Sequence, residues 1–223
     1  MARPEIIQQL AGILSRLVLP HPVRVGIDGV DGSGKTTLAD ELALALRTLG
    51  RDVLRVSLDD FHRPKADRHR QERYSPRGYY EDAFNYPVII SDVLTPLGPG
   101  GNRLYRRSSF DLHSDTPLVG AFQEAPTQSI LLFDGVFLQK TELAGYWDFR
   151  TFVDCRFDKV LERVLKRDLA LFGSKEEARK LYLERFIPAQ RLYLDQVRPL
   201  ESADVVFEND DFENPRLKVK NAL

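Results

Sequence analysis

Short apolar runs, rich in β-branched residues, recur at Val23 to Ile27, Val53 to Leu58, Ile130 to Phe133 and Thr151 to Val153, with a fifth at Val205 to Phe207. Strands that are apolar throughout and separated by helix-length segments predict a parallel sheet covered on both faces. Helical periodicity fills the intervals. Ile6, Leu10, Ile13, Leu14 and Leu17 share one face of an amphipathic helix predicted from Glu5 to Val18, behind Pro4. A second helical run reaches Leu49, and a third, Asp158 to Asp168, turns Val160, Leu161, Val164 and Leu165 to one side. Together these elements predict an α/β fold, a three-layer sandwich around a five-stranded parallel sheet.

The rhythm breaks in the middle. Arg63 to Arg77 is polar and dense in arginine, and Pro96 to Pro126 is rich in Gly, Pro and Ser. Loops of that length in a compact domain usually carry function. The turn Pro99-Gly100-Gly101-Asn102 leads into Arg103 to Asp111, predicted as one arm of a projecting hairpin. The reading is one domain over residues 1–223, with 60–126 holding binding loops and the hairpin.

Composition narrows the function classes. With 32 Lys+Arg against 33 Asp+Glu the net charge is -1, so no global field draws the chain to nucleic acid or an anionic membrane. The longest apolar stretch, Ile130 to Leu138, is broken by Asp134 and falls short of the roughly 18 residues a membrane span needs. The lone Cys155 cannot form an intrachain disulfide and reads as a buried thiol in a reducing, cytoplasmic setting. His62 and His69 lack the spacing and companions of a metal site.

Chemistry first shows directly after the first strand. Gly29-Val30-Asp31-Gly32-Ser33-Gly34-Lys35-Thr36 matches G-x-x-x-x-G-K-[ST], and Thr37 continues into the helix. Glycines let backbone N–H groups wrap phosphates, the helix N-terminus adds positive partial charge, Lys35 reaches the outer phosphates, and the Thr36 hydroxyl is a ligand for Mg²⁺. The strand–loop–helix context predicts a P-loop NTPase that binds a nucleoside triphosphate through Gly29 to Thr37. Asp134, closing the third strand, is the expected second metal residue; the same position also suits a plain turn cap.

The remainder of the chain argues for small-molecule phosphoryl transfer. It has no N-K-x-D or T-K-x-D guanine-reading segment, and it is short for a motor domain. The second strand ends in Ser57-Leu58-Asp59-Asp60-Phe61-His62, and carboxyl ends of neighbouring parallel strands face one crevice. Asp59 is therefore predicted near the transferred phosphate, where a carboxylate can take the acceptor's hydroxyl proton. An Asp pair that only caps a loop is the alternative.

These segments resemble the uridine kinase and phosphoribulokinase group of P-loop kinases, and the likeness runs from about Val23 to Phe207. The group carries S-x-D-x-F-[YH] after its second strand, matched by Ser57 to His62, and the likeness implies that Asp59 is the catalytic acid/base. Tyr80-Glu81-Asp82-Ala83-Phe84-Asn85 is similar to H-P-D-A-F-D, which implies that Asp82 holds the ribose of a nucleoside. Phe110-Asp111-Leu112-His113 partly resembles the family's base-cradling Y-D-F-x-x-H run, so Phe110 and His113 are the implied base contacts. Arg163 and Arg167, four apart, fall in the R-x-x-x-R-D stretch that the likeness assigns to a lid over ATP. Ala203-Asp204-Val205-Val206 resembles the strand beside the adenine.

The resemblance thus implies an ATP- and Mg²⁺-dependent kinase of a uridine- or cytidine-like hydroxyl, with Asp59, Lys35, Arg163 and Arg167 catalytic. A homo-oligomer is common in that group. One segment is peculiar to this chain, the basic run His62 to Arg73, in which Arg63 and its neighbours suit an anionic acceptor such as a sugar phosphate. The other open readings are a pantothenate-kinase-like enzyme and a nucleotide-binding regulator without an acceptor.

Overall fold

The structure, a computed structural model, describes residues 2–167 and 174–220. Its strands are β1 Val23–Gly29, β2 Val53–Ser57, β3 Leu104–Tyr105, β4 Phe110–Asp111, β5 Thr116–Pro117, β6 Gln123–Glu124, β7 Ile130–Gly135, β8 Phe149–Asp154, β9 Val205–Glu208 and β10 Arg216–Val219. The main sheet runs β10-β9-β8-β1-β7-β2. The five strands expected from the apolar runs are all present and parallel, and β10 adds an antiparallel edge on β9. That strand escaped the sequence pattern because Arg216-Leu217-Lys218-Val219 alternates charge with apolar residues and lies mostly exposed, as an edge strand can.

Helix α1, Arg3–Ser15, and helix α2, Lys35–Thr48, cover one face. Ile6, Leu10, Leu14, Leu38 and Leu42 bury there against Val25, Ile27 and Leu132, each fully buried side chain contributing about 1.5–3 kcal/mol. On the other face an aromatic core gathers Phe61, Phe84, Phe133, Phe137, Trp147 and Tyr193. The layering is thus helix, sheet, helix. Register brings Ser57 beside Asp134 and Asp28 beside Gly135, so the carboxyl ends of β1, β2 and β7 meet at one edge. In open α/β sheets that edge is where ligands bind.

The interrupted middle of the sequence forms a nested hairpin, with β3 paired to β6 and, further out, β4 paired to β5. Helix Phe157–Arg167 follows β8, one residue ahead of its predicted start; Asp168 lies outside the described residues. Helix Ile187–Val197 is preceded by a π-helical turn, Tyr182–Phe186, which the sequence reading did not anticipate. Among the described residues, no helix is long and apolar enough to cross a membrane.

Candidate active site

The loop from Val30 to Gly34 joins the end of β1 to the start of α2, and its shape depends on glycine. Gly32 has φ +71° and Gly34 φ +98°, backbone conformations that cost an L side chain roughly 1–2 kcal/mol. Space is equally restrictive: a Cβ on Gly32 would lie 2.5 Å from Val164 Cγ1, and one on Gly34 2.6 Å from Asn209 Nδ2. Buried Lys35 crosses the loop and donates from Nζ to the Val30 carbonyl oxygen at 2.8 Å. Asn209, fully buried at the end of β9, donates from Nδ2 to the Ser33 carbonyl oxygen at 2.6 Å.

Thr36 and Asp134, the two residues nominated for the metal, lie in contact. The Thr36 hydroxyl donates to Asp134 Oδ2 at 2.8 Å. The other carboxylate oxygen lies 2.9 Å from Arg55 Nη2, and Arg55 also donates from Nε to Asp40 Oδ1 at 3.1 Å. Arg55 was not singled out from the sequence, although a lone arginine inside an apolar strand run was the available signal. Burial, then the neighbouring Asp59 and Asp134 charges, push the Asp60 carboxyl above the usual carboxylate range. The Asp134 carboxylate at the end of β7 and the Thr36 hydroxyl therefore share one site. Such a hard-oxygen set fits Mg²⁺.

Asp59 opens a 3-10 turn, Leu58–Phe61, directly after β2, and its N–H donates to Ser57 Oγ at 3.4 Å. It lines a pocket of about 300 Å³ together with Asp31 of the phosphate loop. The pocket's walls include Tyr79, Tyr182 and Phe186, and its cationic side holds Arg68, Arg73 and Arg185. Two further residues tie this pocket to the loop: Tyr79 donates its hydroxyl to Asp31 Oδ2 at 3.0 Å, and Gln190 donates from Nε2 to the same oxygen at 2.5 Å. Neither stood out in the sequence, since both arise from helices far away along the chain. Beneath the loop, the wholly buried Asp28 accepts from the Tyr193 hydroxyl, from Gln139 Nε2 at 3.1 Å and from Gly29 N at 2.8 Å. Burial outweighs these bonds and holds its carboxyl above the ordinary value.

His62 also faces the pocket, donating from Nδ1 to the Asp59 carbonyl oxygen at 2.8 Å and packing on Phe84. Burial pushes its imidazole down from 6.5 to about 4. As pH falls the unfolded chain therefore takes up this proton before the folded one does. The stability His62 contributes is complete above about pH 6.5 and lost progressively toward pH 4. We expect urea unfolding of His62→Gln to show a smaller loss of stability between those limits than the parent chain. Equal losses in the two proteins would contradict this assignment.

The remaining sequence-nominated residues are dispersed. Asp82 is buried outside the pocket lining, with its carboxylate accepting from Arg70 Nη2 at 2.5 Å and Gln71 Nε2 at 2.7 Å. Arg63 donates from Nε to the Phe84 carbonyl oxygen at 3.1 Å. In the hairpin Phe110 is buried opposite Pro117 and His113 is exposed, while Leu112 between them is the residue that reaches the pocket. Leu112 and His113 lie in the turn that follows Phe110–Asp111, so strand alternation does not set which of them faces inward. Arg163 lies on the other side of the phosphate loop, donating from Nη2 to the carbonyl oxygens of Asn209 and Asp210 at 2.6 and 3.0 Å. It lines a smaller cavity of about 170 Å³ with Gly34, Thr37 and Phe212. The side chain of Arg167 falls outside the described residues.

A glycine loop capping a helix at the carboxyl edge of a parallel sheet, with Lys35 across it and Thr36 bonded to Asp134, defines a protein of the P-loop class. The sequence matches the Phosphoribulokinase / Uridine kinase family over residues 24–212, and the chain belongs to that family. It is 29% identical over 189 residues to uridine-cytidine kinase B of Dictyostelium discoideum, covering 83% of this chain and 74% of that protein. Solved structures share the fold. One described as a possible uridine kinase from Bacillus stearothermophilus has a TM-score of 0.72 at 23% identity, covering 91% of this chain and 97% of its own. A D-glycerate 3-kinase from Cryptococcus neoformans has a TM-score of 0.65 at 14% identity, covering 96% and 99%.

Proposed function

We propose that the protein is an ATP-dependent kinase that transfers the γ-phosphoryl group to a hydroxyl of a nucleoside-class acceptor. Family membership supports the reaction class, and the Dictyostelium relative is a uridine-cytidine kinase. The observation that carries the reading is the placement of Asp59 in one pocket with the phosphate-loop residue Asp31. A carboxylate so placed can serve an acceptor and the triphosphate at once.

In this reading the acceptor occupies the pocket beside Tyr79 and Tyr182, and Asp59 takes the proton of its hydroxyl. The oxygen attacks the γ-phosphorus in line, the bond to the β,γ-bridging oxygen breaks, and ADP leaves. Backbone N–H groups of the phosphate loop and the Lys35 ammonium hold the phosphates and offset charge that builds on them. Thr36 and Asp134 would hold Mg²⁺, which supplies neutralisation of the β- and γ-oxygens. Arg163 lies on the nucleotide side and is assigned to ATP, as are Gly29 to Thr37; Arg167 is assigned with it to a lid. Asp82, paired with Arg70 and Gln71, is assigned to positioning the acceptor loop. One kinase domain over 1–223, a cytoplasmic location and a homo-oligomer complete the proposal, supported by the family match over residues 24–212 and the lone buried Cys155.

The test is ADP formation from Mg-ATP against uridine, cytidine, the other nucleosides, sugar phosphates and pantothenate. Sustained ADP production with a nucleoside is the expected result. ADP production that no acceptor stimulates would favour a nucleotide-hydrolysing regulator instead.

A further inference from the structure

A residue ahead of the family-matched segment reaches the phosphate loop. Arg3 opens α1, before the matched residues 24–212, and is only 5% exposed. A cationic side chain is rarely buried so deeply unless its charge is met. Glu41 of α2 meets it: Arg3 donates from Nε to Glu41 Oε1 at 2.9 Å and from Nη2 to Oε2 at 2.8 Å, a two-pronged pair. The remaining nitrogen, Nη1, turns the other way. It donates to Asn209 Oδ1 and to the Phe212 carbonyl oxygen, both at 3.0 Å, and the guanidinium lies 4.0 Å from the centre of the Phe212 ring.

Asn209 is the step between Arg3 and the loop. It is fully buried, and each of its polar groups is used. Its main-chain N–H donates to the Asp154 carbonyl oxygen at 2.8 Å, its own carbonyl accepts from Arg163, Oδ1 accepts from Arg3, and Nδ2 donates to the Ser33 carbonyl oxygen at 2.6 Å. An amide side chain can sit either way round, with oxygen and nitrogen exchanged. Arginine has no acceptor, so Arg3 requires the oxygen and leaves the NH₂ group for Ser33. Turned over, the amide would set donors against Arg3 and an oxygen against the Ser33 carbonyl, and buried groups would lose their partners. Ser33 and Gly34 share one trans peptide plane, in which C=O and N–H point opposite ways. Holding the Ser33 oxygen toward Asn209 therefore turns the Gly34 N–H away from it, and N–H groups of such a loop are what hold phosphate.

We infer that Arg3 is a positioning residue for the nucleotide, acting through Asn209 on the Ser33–Gly34 peptide of the phosphate loop. Its charge is matched by Glu41, so its part is geometric and it touches no phosphate. The same arginine holds Phe212, which lines the cavity of about 170 Å³ with Gly34 and Thr37. Helix α1 thus does more than cover the sheet. It carries the side chain that sets the loop before ATP arrives, and a preset loop loses less freedom on binding. The inference rests on the kinase reading only in taking this loop as the phosphate site.

Calorimetric titration of the full chain with Mg-ADP tests it, since neither an acceptor nor turnover is needed. Arg3→Met and Asn209→Ala should each weaken binding about 3- to 10-fold, the scale of one lost hydrogen bond. Arg3→Lys keeps a donor for Asn209 and should fall between the parent and Asn209→Ala; it decides the matter if Arg3→Met does not fold, parent-like affinity counting against the inference. Because the two residues act in series, the double variant should bind no more weakly than Asn209→Ala alone. Ile6→Val, in the buried face of the same helix, should lower the thermal midpoint and leave the affinity unchanged. A purely structural arginine would behave as Ile6 does. Parent-like affinity in folded Arg3→Met, losses that multiply in the double variant, or an equal loss in Ile6→Val would overturn the inference and leave the kinase reading intact. A parent chain that binds no Mg-ADP would refute the phosphate site itself, and both readings with it.

Discussion

Asp59→Asn should bind Mg-ATP as the parent protein does and transfer phosphate about 10²- to 10⁴-fold more slowly, the range for loss of a positioned general base. The amide keeps the shape of the carboxylate and its place at the start of the 3-10 turn, but cannot take a proton. Because Asp59 is exposed, the fold should lose no more than about 0.5 kcal/mol. Nucleotide titration beside single-turnover kinetics separates the two effects. An undiminished transfer rate in a variant that binds ATP normally would remove Asp59 from the mechanism.

Lys35→Met should lower the rate by about 10²- to 10³-fold, the scale for losing one preorganised donor to developing charge. Here ATP affinity should fall as well, because the ammonium is the fixed cation inside the loop, 2.8 Å from the Val30 carbonyl oxygen. Methionine preserves the aliphatic stem that packs in the buried position, so a folded variant is expected. Steady-state kinetics and thermal unfolding, run together, check both parts. A loss of activity matched by an equal loss of folded protein would mean that the lysine is structural.

Much of this arrangement is legible in the sequence because it rests on local rules. The apolar runs at β1, β2, β7, β8 and β9 announce buried parallel strands, and the spacing of Gly29, Gly34, Lys35 and Thr36 is set by one loop and one helix start. Asp59 and Asp134 follow from strand ends, whose common edge is a property of parallel sheets. What stayed hidden depends on distant chain segments meeting. Arg185 lies in a π turn that no hydrophobic period encodes, and its partners Arg68 and Arg73 are more than a hundred residues away.

The hairpin shows a different limit. Leu112 and His113 lie in the turn that follows Phe110–Asp111, so a match of residue types did not determine which of Phe110, Leu112 and His113 would face inward. Asp82 illustrates the same point electrostatically. Its position in a motif was readable, but its ion pair with Arg70 depends on the arginine-rich loop folding back over it.

The central claim is γ-phosphoryl transfer from ATP to an acceptor hydroxyl, and ³¹P NMR of a reaction mixture tests it most directly. With an active acceptor, ADP and one new phosphomonoester should appear in equal amounts, and both signals should fail to grow with Asp59→Asn. ADP accompanied by inorganic phosphate, with no phosphorylated acceptor from any compound offered, would contradict it.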